Sequence, residues 1–313
     1  MDTAIWFEDL PVLGKLPLAK AAEKLQEVGD VVSAGKLQAS ASELAPIPKS
    51  YKAKSSRLWP FQDKPWQHTA HAFGYIAPAL AGPTKPLAIQ YAGNIAADVT
   101  LKKQRVKITL DRLRVADYPG SGSHQILFDF YAQNQVPGNV EHLHFTATYR
   151  ALEGEQVAVI GYPIFVGLHV GTEGVAFKCF TVNVKNQDDE AFLKFLDSDV
   201  FKAGLKLAAT LQPATVPLSG MALGLTKAIA SHNRNVPVQD FYMGLDFSAI
   251  PTRARLAEGS YIAVQIPESF QTVWDWNDWV YNPNTGQLVA QADLKKLIPY
   301  NYVVFSVSRY EGE

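Results

Sequence analysis

The chain reads as a mainly β protein: an antiparallel β-sandwich with an inserted helical hairpin and an N-terminal helical arm. Three observations predict this. Between residues 105 and 310, apolar and polar side chains alternate in segment after segment, the period of a half-buried strand. Short turns rich in Gly, Pro and Asn separate the segments, which favours antiparallel pairing over a parallel α/β sheet. The alternation lapses once, over about 188–233, where apolar residues recur at helical spacing.

Residues 1–57 form the expected arm. Leu18, Ala21, Ala22, Leu25 and Val28 repeat at helical spacing, and Gly29 suits the helix end. The polar stretch that follows, about 33–56, reads as a linker or a second short helix. Residues 58–313 form the β-domain. Its first part, 58–104, is dense in Pro, Gly and aromatics, so long regular elements are not expected there, and Leu87, Ile89 and Tyr91 suggest one strand.

From Val106 the pattern is clear. Val106, Ile108 and Leu110 alternate, then the phase slips by one to Leu113 and Val115, as a β-bulge would produce. A turn over 118–123 leads to a strand holding Ile126, Phe128 and Phe130. The next strand, 142–150, has an expected inner face of Leu143, Phe145, Ala147 and Tyr149. Its outer face is His142, His144, Thr146, Thr148 and Arg150. Strands follow at 156–170 and 174–185, with a second phase change between Cys179 and Phe180. The helical stripe Phe192, Phe195, Leu196, Val200, Ala203, Leu207 and Leu211 starts at Asp188 and Asp189, whose charges suit a helix N-terminus, and ends at Pro213. Leu218, Met221, Ala222, Leu225 and Ile229 mark a second helix. Its poverty in charge favours packing on a sheet or a subunit over entering a membrane. Strands resume at Phe241 and Ile262, a hairpin turns over 282–286, and a last strand ends near Tyr310.

Composition narrows the function classes. The apolar fraction of 47% supports a substantial core, and 29 Lys plus Arg against 30 Asp plus Glu offer no net field for nucleic acid or an anionic membrane. A single cysteine, Cys179, precludes an intramolecular disulfide and fits a reducing compartment. With no signal-peptide pattern and no membrane-length apolar run, a cytoplasmic protein is expected.

Four histidines are metal candidates. His142 and His144 project from one strand face and can share a divalent metal if a third ligand approaches. His68 and His71 are three residues apart, a weak H-x-x-H. No metalloprotease motif, nucleophile elbow or phosphate loop occurs. Cys179, in an apolar strand, is expected to be a buried, inert thiol. Trp274, Trp276 and Trp279 lie within six residues. On a strand, the first two share a face, where they stack on a sugar ring or a base or anchor a partner; the core is their default place.

The strand, Gly/Ser turn and aromatic strand over 105–131 resemble the opening of C2-type β-sandwich domains. That resemblance implies peripheral membrane binding as an alternative function. Asp111, Asp117 and Asp129 are too few and too scattered for such a domain's calcium cluster. The expected function is a non-enzymatic interaction or scaffold protein that associates with itself or a protein partner, with no cofactor. The other alternative is a metal-dependent hydrolase using His68, His71, His142 and His144.

Overall fold

The computed structural model describes residues 6–43, 64–79, 82, 85–136, 140–157, 159, 161–196, 215–248, 250 and 253–312. The protein is mainly β, with 45% strand against 21% helix. Helices α1 (Leu18–Glu27) and α2 (Val31–Glu43) come first. Strands β1 (Ala70–Ile76), β2 (Leu87–Ala88), β3 (Gln90–Tyr91), β4 (Arg105–Arg114), β5 (Ser123–Asn134), β6 (Glu141–Leu152), β7 (Gln156–Val157), β8 (Tyr162–His169) and β9 (Gly174–Val184) follow. Helices α3 (Gln187–Leu196) and α4 (Thr215–Ser231) separate β9 from β10 (Asn235–Asp246). The chain closes with β11 (Ala254–Arg255), β12 (Gly259–Ile266), β13 (Trp279–Asn282), β14 (Gln287–Ala290), β15 (Asp293–Leu297) and β16 (Tyr302–Arg309).

Three sheets result. The largest runs β3-β1-β12-β16-β4-β7, with β8 also on β4; the second runs β11-β10-β9-β5-β6; the smallest runs β15-β14-β13-β2. Pairing is antiparallel except for the short β10–β11 contact. The two larger sheets share one apolar core: Phe305 of β16 meets Phe130 of β5 at 5.3 Å and Phe177 of β9 at 5.5 Å between ring centroids. Ala21, Ala22 and Leu25 of α1 and Ala34 and Leu37 of α2 belong to that same core. The N-terminal helices therefore dock on their own chain. Asp30 accepts the Ser33 amide at 3.1 Å and starts α2, so the polar stretch begins as a helix. The rest of that stretch lies outside the described residues, as do Val200, Ala203, Leu207, Leu211 and Pro213 of the expected helical stripe.

The slip in β4 is a bulge. Val304 pairs with Arg112 and Phe305 with Leu110, leaving Asp111 as the extra residue, held by hydroxyls of Ser306 and Thr109. The phase change at Cys179 and Phe180 has another cause. β9 pairs with β5 in unbroken register there, and the irregularity lies on β10 between Pro237 and Gln239. Apolar residues change sides because both faces of β9 are covered. Phe177 and Cys179 enter the main core, while Phe180, Val182 and Val184 pack beneath Trp6, Phe7, Leu193 and Ile229.

Strand β1 was not expected from the sequence. Ala72 and Gly74 alternate with Phe73 and Tyr75, so one face carries too little side chain to register as apolar. Pairing with β12 from Ala70↔Ile266 to Ile76↔Ser260 holds the strand in place. The run Leu87, Ile89, Tyr91 divides into β2 and β3, which belong to different sheets.

Candidate functional site

Three regions carry groups suited to function: the outer face of the five-stranded sheet, a tryptophan cleft, and the free edge at β6.

On the outer face, β5–β6 register sets Asp129 opposite Thr146, Tyr131 opposite His144 and Gln133 opposite His142. The sequence suggests a solvated surface here, but the structure covers it. Helix α4 and the segment at Trp6 and Phe7 lie across it, and the His144 and Asp129 side chains are only 2% and 0% exposed. Asp129 Oδ1 lies 2.8 Å from His144 Nδ1, while its Oδ2 accepts the hydroxyls of Thr146 and Thr226, each at 3.1 Å. The Trp6 ring stacks on His144 with centroids 6.2 Å apart, and Lys178 sits 5.0 Å over the same indole. Asp240 accepts from Trp6 Nε1 at 3.2 Å and anchors the covering segment. His142 Nδ1 lies 2.6 Å from the Tyr131 hydroxyl. Both threonine hydroxyls donate to the carboxyl rather than to the imidazole, the reverse of a nucleophile–base pair. Chemically, the arrangement satisfies polar groups beneath an apolar cover.

His68 and His71 belong to the other large sheet. His68 follows a short 3-10 turn and packs edge-on against Tyr300 at 5.7 Å. His71, on β1, faces inward with its ring 4.9 Å from Phe241. Burial, and then the Lys15 charge, lower its pKa to about 3. Among the described residues, no three His, Cys, Asp or Glu side chains group as a metal ion would require. Asp111, Asp117 and Asp129 likewise have separate partners: Ser306 and Thr109, Lys64, and His144 with two threonines. Cys179 is buried in the main core, and desolvation pushes its thiol well up.

The tryptophans are not on one strand. Asp275 accepts the Asn277 amide at 2.9 Å and opens a 3-10 turn over Trp276–Asp278, so strand geometry begins only at Trp279. Trp276 is 6% exposed and packs in a second core cluster with Ile89, Ile262 and Tyr302. Trp274 and Trp279 are half-buried and stack 10° from parallel with centroids 6.0 Å apart. Trp274 and Trp276 meet edge to face at 5.6 Å. Together with Tyr91 and Asn94 they border an open cleft of about 520 Å³.

Strand β6 ends the five-stranded sheet, hydrogen-bonded to β5 on one side and to no strand on the other among the described residues. Phe145 of β6 meets Tyr162 of β8 at 5.8 Å, so the borders of the two large sheets lie side by side. Val140, Leu152, Tyr162 and Val166 are 49%, 50%, 45% and 57% exposed along this border. The two strands are protected differently. β8 carries Pro163, Gly167 at φ +80° and two register shifts against β4. β6 runs twelve residues with no Pro, Gly or Lys.

Sequence reasoning found the histidines and tryptophans but weighed Asp129 only as a calcium ligand and missed its pairing with His144. The available signal was an acid amid Leu127, Phe128, Phe130 and Tyr131, where a charge is costly without partners. Comparison with protein-family models, curated proteins and solved structures found no match.

Proposed function

We propose that the chain is a β-sandwich with an inserted helical hairpin and an N-terminal helical arm, acting as a non-enzymatic interaction module that self-associates through β6. The shared core of the two large sheets supports the sandwich reading. The observation that carries the functional reading is the twelve-residue border strand β6, which among the described residues pairs only with β5 and carries no Pro, Gly or Lys. A border strand of this kind is a template for pairing with another strand, which most proteins blunt with Pro, Lys or bulges, as β8 is blunted. Antiparallel pairing of two β6 strands about a two-fold axis satisfies both edges at once and brings the exposed Val140 and Leu152 of each copy under cover.

Light scattering tests this directly, with a dimer expected and a monomer at every concentration overturning it. Ala147→Pro and Thr148→Pro sharpen the test, because successive residues point their N–H groups to opposite sides of a strand. One of the two prolines blocks the open edge and yields a folded monomer. The other disrupts the ladder to β5 and lowers the melting temperature. Dimers that persist in both variants place the association elsewhere. For the hydrolase alternative, no observation draws His68, His71, His142 and His144 together; elemental analysis of the purified protein measures it independently.

A further inference from the structure

We infer that the cleft between the turn after β3 and the 3-10 turn at Trp276 binds a neutral oligosaccharide. Its volume, about 520 Å³, falls among small-ligand sites, which span roughly 300–1,000 Å³. The lining combines aromatic rings from Tyr91, Trp274 and Trp276 with amides from Asn94 and Asn277. Aromatic faces cover the C–H faces of a sugar ring, and amides both donate to and accept from its hydroxyls.

Charge narrows the ligand class. Among the described lining residues there is one carboxylate, Asp275, and no lysine or arginine. That disfavours phosphates, nucleotides and acidic peptides, which need cationic partners. A quaternary ammonium is the competing occupant of an aromatic cage. Here the amides outnumber the single carboxylate, and Asp275 already accepts from the Asn277 backbone and side chain, each at 2.9 Å. Hydroxyl recognition fits that donor set better than cation recognition does.

The cleft is also pre-organised. A Cβ on Gly74 would lie 2.9 Å from two ring atoms of Trp276, so a glycine there lets the indole seat against β1. A Cβ on Gly93 would meet the Tyr91 ring in the same way. Asp275 fixes the turn that carries Trp276 and Asn277. Ligand binding therefore orders few additional groups, which favours affinity.

The test is a glycan array of neutral gluco-, manno-, galacto- and N-acetylglucosamine oligosaccharides, followed by calorimetry on each hit and on choline chloride. Saturable binding of a neutral glycan is expected, weakened about tenfold in Trp274→Ala and about fivefold in Asn94→Ala. Asn94 lies at an exposed turn, so its variant remains informative if Trp274→Ala fails to fold. Tyr242→Ala, at an exposed position on β10, should bind as the parent does. No neutral glycan retained, choline bound in place of any glycan, or glycan binding unchanged in folded Trp274→Ala and Asn94→Ala would each overturn the assignment. The dimer at β6 is scored separately by light scattering, so either reading can fail alone.

Discussion

The two faces of the five-stranded sheet are both covered, yet they are built on opposite principles. The inner face is an aromatic interior: Phe128, Phe130 and Phe177 meet Phe305 and Phe165 from the opposing sheet. His124 on this face and His71 on the opposing sheet are kept neutral by exclusion from water. The outer face presents Asp129, His142, His144, Thr146 and Lys178 to a thin cover formed by Trp6, Phe7 and α4; these five have partners, while the buried Thr148 hydroxyl has no hydrogen bond among the described residues. Burial alone does not say how a face is stabilised. The inner face depends on packed volume and the outer face on satisfied hydrogen bonds.

Breaking the inner face should cost the most. Phe130 is fully buried among four rings, so Phe130→Ala should lower unfolding free energy by about 3–5 kcal/mol. Chemical denaturation measures this, and a loss below about 1 kcal/mol would mean the two sheets do not interlock there. On the outer face, Asp129→Ala strands His144, Thr146 and Thr226 without their acceptor, for an expected loss of about 3 kcal/mol. Asp129→Asn should lose less, because its carbonyl still accepts. Equal losses in the two variants would show that the negative charge, and neither volume nor a carbonyl acceptor, carries the stabilisation.

A pH profile probes the histidines of the shared core. Burial lowers the His71 pKa to about 3 and, helped by the Lys185 charge, that of His124 to about 4. Both folded values lie below the usual 6.5, so the unfolded chain binds these protons more readily. Stability is therefore complete above pH 6.5 and falls as pH drops toward 4 for His124 and toward 3 for His71. Within that window each pH unit should remove about 1.4 kcal/mol per histidine. Denaturation midpoints across the window measure the slope, and His71→Gln should reduce it. A flat profile would mean that these rings are hydrated.

Legibility followed the strength of the side-chain pattern. The alternation in β4 and the bulge at Asp111 could be read because each places large apolar residues on a definite face, whereas β5 and β9 bury large apolar residues on both faces. β1 could not, since Ala72 and Gly74 carry almost no apolar signal, and its partner β12 lies nearly two hundred residues away. The histidine face was legible as a set of residues on one side of a strand. Its cover was not, because Trp6 and Thr226 are remote in sequence from Asp129. Trp274 and Trp276 were read on a strand because hydrophobicity does not register the Asx-type turn that Asp275 makes.

Taken alone, the sequence determined the mainly β class, the place where helices interrupt it, and the side-chain parity along each long strand. Those are local properties, set by backbone period and turn chemistry within a few residues. Only the tertiary structure decided which strand stands at a sheet border, which polar face is roofed, and which aromatic residues open onto a cleft. Each depends on contacts between distant segments, where burial turns on what packs opposite rather than on the residue itself.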